Sequence, residues 1–149
     1  MNQKLQLKLR KRLAIIKSQV SQKSNQINVK KFEEHMGKVV GLIPVRLEST
    51  RFPGKALKEI EGIPAIVHVY KRALFSTLLD EIYVCTDSDE IEAVCNKYFC
   101  KVIKTGKHKN GSERIYEASK LIDTDIIINI QGDEVLVDPI HIDLIIESM

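Results

Sequence analysis

The sequence predicts an α/β fold with a mostly parallel β-sheet, and three observations support this prediction. Short apolar runs alternate with segments in which apolar residues recur every three or four positions, a pattern typical of strands connected by helices. Residues 126–130 form the most apolar run of the chain, as expected for a central parallel strand covered on both faces. Charged loops follow the first and last of these runs, where an open parallel sheet binds its ligands. We therefore expect βαβ units with right-handed crossovers.

The individual elements follow in order from residue 39. The predicted order is a strand at 39–44, a helix after Pro64, a strand at 82–85, a helix from Asp87 or Ser88, a strand near 102–103, a helix from Ser112 and a strand at 126–130. Pro64 suits a first helical turn, and Asp87 or Ser88 can cap the second helix through a side-chain oxygen. The buried helix faces would be Ile66, Val69, Tyr70, Ala73 and Leu74 in the first helix, Ile91, Val94, Cys95 and Tyr98 in the second, and Ile115, Ala118 and Ile122 in the third.

Composition limits the protein classes to which this chain can belong. Its 149 residues are 44% hydrophobic and 29% charged, which is typical of one globular domain. Its apolar runs stop far short of the roughly 20 residues that cross a bilayer, and no segment has the pattern of a secretory signal. Cys85, Cys95 and Cys100 are odd in number and lack a metal-binding spacing. We therefore expect reduced thiols and a cytoplasmic location.

Charge is distributed unevenly along the chain. Residues 1–38 hold ten Lys or Arg against two Glu, a net charge of +8, whereas residues 39–149 hold thirteen against eighteen acidic residues, a net charge of −5. All glycines and prolines lie at or after Gly37, so we place a domain boundary near Met36, between a basic extension at 1–36 and a folded unit at 37–149. The extension carries apolar residues at helical spacing, namely Leu5, Leu9, Leu13, Ile16 and Val20.

Three interpretations of the basic extension remain open. It can be an addition without function, in which case Met36 is the functional start. It can be an arm that binds nucleic acid, anionic lipid or a partner chain, because a basic amphipathic helix suits each of these. It can also be a transit peptide, which is typically basic and poor in acidic residues.

The loop at residues 45–55 is rich in cations. Arg46, Arg51 and Lys55 lie within ten residues, with two hydroxyl side chains and a glycine between them. Forked Arg groups can chelate phosphate oxygens, a Lys adds a mobile charge, and backbone amides beside a glycine can approach an anion closely. This pattern predicts a polyphosphate site, with a solvated basic loop as the alternative. The loop matches neither the Walker A motif nor the Gly-x-Gly-x-x-Gly motif.

A second polar loop, Gln131-Gly132-Asp133-Glu134, follows the last predicted strand. Asp133 would emerge at the carboxyl end of that strand and face the basic loop. A carboxylate in that place can hold Mg²⁺ together with phosphate oxygens. The alternative is a turn in which Gly132 bends the chain and Asp133 caps the next helix.

Several short motifs occur in a fixed order between residues 39 and 139. They are Ile43-Pro44-Val45-Arg46, Ser49-Thr50-Arg51, Pro53-Gly54-Lys55, Gly62-Ile63-Pro64, Cys85-Thr86-Asp87, Asn110-Gly111-Ser112-Glu113-Arg114 and Ile130-Gln131-Gly132-Asp133-Glu134. In this order they resemble the N-terminal, nucleotide-binding portion of the 3-deoxy-manno-octulosonate (KDO) cytidylyltransferases, also called CMP-KDO synthetases. Related sugar-activating nucleotidyltransferases share the first loop, but the Gln-Gly-Asp-Glu segment is more typical of the KDO enzymes.

The resemblance implies a fold, a reaction and a set of site residues. The fold would be the Rossmann-like three-layer sandwich of the nucleotide-diphospho-sugar transferases. The reaction would be Mg²⁺-dependent attack of the anomeric hydroxyl of KDO on the α-phosphorus of CTP, giving pyrophosphate and CMP-KDO for lipopolysaccharide assembly. The implied roles are triphosphate binding and catalysis for Arg46, Arg51 and Lys55, Mg²⁺ binding for Asp133, and nucleotide or sugar contact for Gln131. Ser112 and Arg114 would contact the cytidine. The full-length enzyme would be a homodimer, with no membrane span and no nucleic-acid partner.

The sequence departs from this family in two ways. Val45 stands where the family usually has Ala, and Val135 stands where it has Pro, which affects loop shape more than chemistry. Family members also continue well beyond Met149, so we expect a chain truncated at the C-terminus that binds CTP weakly and turns over poorly alone. Two alternatives remain, a cytidylyltransferase for another acidic sugar and a non-catalytic binding remnant with a basic arm.

Overall fold

The computed structural model describes residues 37–48 and 54–149. The predicted basic extension at 1–36 and the loop residues 49–53, which include Arg51, lie outside the described residues. The domain boundary near Met36 and the apolar stripe of the extension therefore stay predictions. The compact unit considered below spans Lys38–Met149.

The described chain alternates strands with helices from Val39 onward. The elements are β1 (Val39–Pro44), a 3-10 turn (Lys55–Leu57), β2 (Glu59–Ile60), β3 (Ile63–Pro64), α1 (Ala65–Ala73), β4 (Glu81–Thr86), α2 (Asp89–Lys97), β5 (Val102–Lys104), α3 (Gly111–Ser119), β6 (Ile126–Asn129) and α4 (Pro139–Glu147). The predicted strands and helices lie close to these positions. The short β2–β3 hairpin, which is antiparallel, was not anticipated from the sequence pattern.

Four strands form one parallel sheet in the order β5-β4-β1-β6. In the middle of β1, Leu42 pairs with Tyr83 of β4 on one side and with Asn129 of β6 on the other. The α/β prediction is therefore confirmed. The prediction that residues 126–130 form a central strand is wrong for the described sheet, because β6 pairs only with β1 and lies at the edge. An apolar run reports how much of a strand is covered, and it carries no information on strand order.

Helices lie on both faces of this sheet. The connections from β1 to β4 and from β4 to β5 run in one direction across the sheet, whereas the connection from β5 to β6 runs back in the other. Right-handed crossovers therefore place α1 and α2 on one face and α3 on the opposite face. The core beneath α3 agrees with this arrangement, since Ala118 packs with Val40, Leu42, Cys85 and Ile103.

Side-chain caps fix where the later helices begin. Ser88, one of the two predicted caps, accepts a hydrogen bond from the Ile91 amide at 3.2 Å. The third helix begins one residue before the predicted Ser112 and ends at Ser119, so Ile122 lies beyond it. Leu74 was predicted on the buried face of α1, but α1 ends at Ala73 and Leu74 is exposed. The early end of each helix, rather than its apolar spacing, explains these two differences.

Polar contacts attach the last helix, α4, and the loop before it to α1 and to the loop that follows α1. The Asp143 carboxylate accepts hydrogen bonds from the hydroxyls of Ser76 and Thr77 and from the amides of Thr77 and Leu78. The Arg72 side chain donates to the Val137 carbonyl at 2.8 Å. Across the described ranges, none of the helices has both the length and the hydropathy that a bilayer crossing requires.

Candidate functional site

A crevice of about 360 Å³ opens at the carboxyl ends of β1 and β6. These two strands are neighbours, but the chain runs from β1 to β4 and β5 on one side and then returns past β1 to reach β6 on the other. The strand order therefore reverses at the gap between β1 and β6, which makes that gap a topological switch point. Open α/β sheets bind ligands at such points. The lining residues are Pro44, Val45, Arg46, Lys55, Ala56, His108, Lys109, Asn110, Gly111, Arg114, Gln131, Gly132 and Asp133.

The first wall is the segment that leaves β1. The Val45 amide continues the β1–β4 pairing by donating to the Cys85 carbonyl at 2.9 Å, so Arg46 is the first residue that points free of the sheet. The loop closes where the Gly54 amide donates to the Leu47 carbonyl at 3.0 Å. Gly54 has a φ of 68°, a left-handed conformation that glycine adopts without strain, and it begins the 3-10 turn that carries Lys55.

The second wall is the loop that leaves β6, and it approaches the first wall closely. A Cβ atom at Gly132 would come within 2.7 Å of the Val45 side chain and 2.9 Å of the Pro44 carbonyl oxygen. Glycine is therefore required here by the close approach of the two loops, rather than by the chain bend that the sequence suggests. A turn follows, in which the Glu134 amide donates to the Gln131 carbonyl at 3.2 Å and Asp133 projects into the crevice.

The two walls meet at an ion pair. Lys55 Nζ lies 3.0 Å from Asp133 Oδ2, and both side chains are about half exposed. Lys55, which is predicted to bind phosphate, and Asp133, which is predicted to bind Mg²⁺, thus face one another across the crevice. The helix that follows is capped by Asp138, whose carboxylate accepts from the Ile140 amide at 3.0 Å, so Asp133 is not that cap.

Positive charge dominates the described lining of the crevice. Arg46, Lys55, Lys109 and Arg114 contribute four cations, against one carboxylate from Asp133. Such a surface attracts a polyanion and repels a free divalent cation. The described residues hold no cluster of three or more His, Cys, Asp or Glu side chains suited to a metal ion. A single accessible carboxylate does fit Mg²⁺ in the form in which nucleotides carry it, with phosphate oxygens and water as the remaining ligands.

The third wall is the loop at residues 105–110, which is braced internally. Asn110 caps α3 by accepting from the Glu113 amide at 2.9 Å, and the Glu113 carboxylate in turn accepts from the Lys109 amide at 3.2 Å. Across the crevice, Arg46 Nη1 donates to the Lys109 carbonyl at 3.4 Å. This loop is therefore shaped by its own hydrogen bonds before any ligand arrives.

In the middle of the third wall, His108 forms a side-chain pair with Glu117 of α3. His108 Nε2 pairs with the Glu117 carboxylate, which also accepts from the Gly106 amide at 3.0 Å. The hydrogen bond from His108, followed by that from Gly106, lowers the pKa of the Glu117 carboxyl group below its ordinary value. His108 was not predicted as a site residue, and the signal that could have found it is Glu117, the acidic residue nine positions later on α3.

Six of the seven predicted site residues fall within the described residues. Five of them line one crevice, namely Arg46, Lys55, Arg114, Gln131 and Asp133. Ser112 is exposed in the first turn of α3, next to the lining residue Gly111. Arg51 lies outside the described residues, so its place beside Arg46 and Lys55 stays a prediction.

Several other reactive side chains have structural roles outside the crevice. Cys85, Cys95 and Cys100 are free and buried. Burial raises the pKa of the Cys85 thiol to about 12, which removes it as a nucleophile at neutral pH. His68 Nε2 makes a 2.9 Å hydrogen bond with the Ile60 carbonyl, and Lys104 pairs with Asp89 and Glu92 of α2. These groups lie away from the crevice lining.

Comparison with known proteins identifies the family. Residues 40–149 match the family model described as cytidylyltransferase. The chain belongs to the cytidylyltransferase family. Within it, the chain is 47% identical over 111 residues to 3-deoxy-manno-octulosonate cytidylyltransferase from Chlorobium phaeobacteroides, covering 74% of this chain and 45% of that protein. It is also 47% identical over 113 residues to 8-amino-3,8-dideoxy-manno-octulosonate cytidylyltransferase from Shewanella frigidimarina, covering 73% and 46%.

Comparison with a solved structure shows that this cytidylyltransferase has the fold of a known relative. CMP:2-keto-3-deoxy-manno-octonic acid synthetase, in complex with CTP, superposes with a TM-score of 0.74 at 38% identity, covering 75% of this chain and 47% of the other. The resemblance inferred from the short motifs and the nucleotidyltransferase type of fold are therefore confirmed. The chain spans about half the length of the curated relatives that it matches.

Proposed function

We propose that this chain is the nucleotide-binding portion of a cytidylyltransferase that transfers CMP from CTP to 3-deoxy-manno-octulosonate, releasing pyrophosphate. The sugar nucleotide formed would serve lipopolysaccharide assembly. The observation that carries the proposal is the pairing of Lys55 with Asp133 inside a cationic crevice at the switch point of a parallel sheet. Membership of the cytidylyltransferase family supports the choice of nucleotide.

The cations would act on the triphosphate. Arg46 and Lys55 stand where they can bind phosphate oxygens and stabilise the charge that develops on the departing pyrophosphate, an electrostatic role. Arg51 would join them from the same loop. Gln131, which lines the crevice beside the metal-binding carboxylate, would contact the nucleotide or the sugar, and Ser112 would lie near the cytidine.

Asp133 would hold Mg²⁺ that arrives with the nucleotide. When bound, the ion supplies charge neutralisation at the phosphates and geometric restraint of the triphosphate. For this to happen the Asp133 carboxylate must part from Lys55, and the ammonium must move to a phosphate oxygen. The half-exposed position of both side chains permits that exchange at low energetic cost.

A second candidate function differs only in the sugar. The relative from Shewanella frigidimarina is named for an 8-amino-3,8-dideoxy sugar and is as similar to this chain as the relative named for 3-deoxy-manno-octulosonate. The crevice lining described above contains groups suited to phosphate and nucleotide, which both reactions share. The choice between the two acidic sugars therefore needs a direct comparison of substrates.

Calorimetric titration of the chain with CTP, UTP, ATP and GTP, each with and without Mg²⁺, tests the proposal. We expect preference for CTP and a higher CTP affinity in the presence of Mg²⁺. Absence of binding to every nucleotide would contradict the assignment of this chain as a nucleotide-binding unit. Equal affinity for all four would leave a phosphate site without the base selectivity that a cytidylyltransferase requires.

The homodimer expected of the full-length enzyme is a proposal of the same kind. Analytical ultracentrifugation of this chain and of a full-length relative would compare their oligomeric states. We expect the full-length relative to be a dimer, and a monomeric relative would contradict the proposal.

A further inference from the structure

Arg114 is buried in the floor of the crevice although its side chain is fully charged. Only 3% of the residue is exposed, and it lies in the first turn of α3. A buried guanidinium is stable only when other groups compensate its charge and satisfy its donors. The partners of Arg114 therefore indicate what it does.

Those partners come from the ends of two neighbouring strands. Arg114 Nη2 lies 2.9 Å from Oδ1 of Asp87, the residue that follows β4. Arg114 Nη1 donates to the Thr105 hydroxyl at 2.5 Å and to the Gly106 carbonyl at 3.2 Å, both just after β5. One guanidinium thus joins α3 to the carboxyl ends of β4 and β5.

These contacts of Arg114 hold the third wall of the crevice in position. The loop at 105–110 is fixed at its start by Arg114 and at its end by the Asn110 cap, and Lys109 and Gly111 line the crevice between and beyond them. We propose that Arg114 is a positioning residue that holds this wall for the nucleotide, rather than a side chain that contacts cytidine. The proposal rests on the proposed function, because the wall has a ligand only if the crevice binds a nucleotide.

The planar guanidinium is required for this role. Its fork reaches Asp87 with one nitrogen and the β5 end with the other, whereas a lysine ammonium is a single point that cannot span both. Arg114→Lys keeps the charge that Asp87 needs but loses one of the two attachments. We therefore expect Lys at this position to preserve the fold and to release the loop.

Three variants and a matched control separate positioning from general stability. Arg114→Lys replaces the guanidinium, Asp87→Asn removes the charge that holds the guanidinium in place, and the double variant combines the two changes. Arg72→Lys is the control, because Arg72 is a partly buried arginine whose side chain donates to the Val137 carbonyl outside the crevice lining. All four proteins are compared with the unmodified chain by thermal unfolding, by CTP titration with Mg²⁺, and by amide hydrogen exchange.

We expect Arg114→Lys and Asp87→Asn each to lower CTP affinity by about tenfold, since each removes a charged hydrogen bond that orders the wall. The double variant should lose little more CTP affinity than either single variant, because both substitutions disturb the same Arg114–Asp87 contact. Amide exchange should become faster at residues 105–111 and stay unchanged in β1 and α1. The Arg72→Lys control should lose thermal stability without loss of CTP affinity.

Two results would overturn the positioning role. If Arg114→Lys unfolds at a lower temperature but keeps its CTP affinity and its exchange at 105–111, Arg114 only stabilises the fold. If Arg114→Lys loses CTP affinity while exchange at 105–111 stays unchanged and Asp87→Asn has no effect, Arg114 contacts the nucleotide itself. Should the unmodified chain bind no nucleotide, the proposed function fails, and amide exchange still decides whether Arg114 holds the loop.

Discussion

At the scale of a single residue, Gly132 sets the distance between the loop after β1 and the loop after β6, which form the first and second walls of the crevice. Its missing side chain allows the loop after β6 to rest on Pro44 and Val45, which brings Asp133 within reach of Lys55. An alanine Cβ would collide with a backbone carbonyl oxygen, which cannot rotate away as a side chain does. The geometry of the crevice therefore depends on a residue that has no polar side chain of its own.

Gly132→Ala should separate the two walls. We expect a loss of about 1–3 kcal/mol in the free energy of unfolding, as for other overpacked sites, together with weaker CTP binding. Denaturant unfolding and CTP titration measure the two effects. Gly106→Ala is the control, since a Cβ there would meet the Glu117 carboxylate at an ordinary 3.5 Å, and an equal loss in both variants would contradict the close-approach argument.

Lys55 and Asp133 should matter for ligand binding far more than for stability. An exposed ion pair contributes about 0–1 kcal/mol, so Lys55→Ala and Asp133→Asn should unfold nearly as the unmodified chain does. We expect Lys55→Ala to weaken CTP binding, and Asp133→Asn to abolish the dependence of that binding on Mg²⁺. In a full-length relative, the matching substitutions should abolish turnover.

Lys101→Ala provides the matched control for these two variants. Lys101 Nζ lies 3.0 Å from Glu81 and is as exposed as Lys55, but the pair is at the opposite end of the sheet. Calorimetry should find its CTP affinity unchanged. A comparable loss in Lys101→Ala would mean that the net charge of the chain, rather than the crevice, governs nucleotide binding.

At the scale of elements, Glu81 joins the starts of three adjacent strands. It begins β4, and it pairs with Lys38 before β1 and Lys101 before β5. The hydrogen bond from Lys38, then those from Lys101 and Tyr83, lower the pKa of the Glu81 carboxyl from 4.5 to about 2. Since the pKa is depressed in the folded state, Glu81 stabilises the fold above pH 4.5 and loses this effect as the pH falls toward 2.

Glu81→Gln should therefore flatten the acid limb of the stability curve. The unmodified chain should lose more stability than the variant between pH 4.5 and 2, and the two curves should run parallel above pH 5. Urea unfolding at a series of pH values gives both curves. Identical slopes below pH 4.5 would show that Glu81 has the same pKa in the folded and unfolded chains. Since the side chain is exposed to solvent, salt should reduce the difference.

The local sequence specifies where the helices begin better than where they end. The start of α2 follows from Ser88 and its acidic first turn. The start of α3 follows from Asn110, which accepts from the Glu113 amide and whose side-chain amide donates to the Glu113 carboxylate. The ends were less certain, because nothing in the residues after Ala73 or Ser119 forbids another helical turn. After α1, the hydrogen bonds of Ser76, Thr77 and Leu78 to the Asp143 carboxylate of α4 hold the chain in a non-helical path, and these contacts depend on residues far along the chain.

The whole molecule combines two segments of opposite charge. Residues 1–38 carry a net charge of +8, whereas residues 39–149 carry −5 and hold the crevice. If the extension is a binding arm, the chain should be retained on DNA or on anionic vesicles in a salt-dependent way. Deletion of residues 1–35 should abolish that retention and leave CTP titration unchanged. Retention that survives the deletion would assign it to the cationic crevice instead.

The sequence by itself determined the class of fold, the order of its elements and the two loops that line the crevice. It could do so because periodicity, caps and charge are local properties of a chain. The tertiary structure decided that residues 126–129 form an edge strand of the described sheet, that Gly132 serves close approach, and that His108 belongs to the crevice. It also gave Arg114 its partners, Asp87 and Thr105. These are contacts between residues distant in sequence or set by strand order, and only the packing of strands against helices brings such groups together.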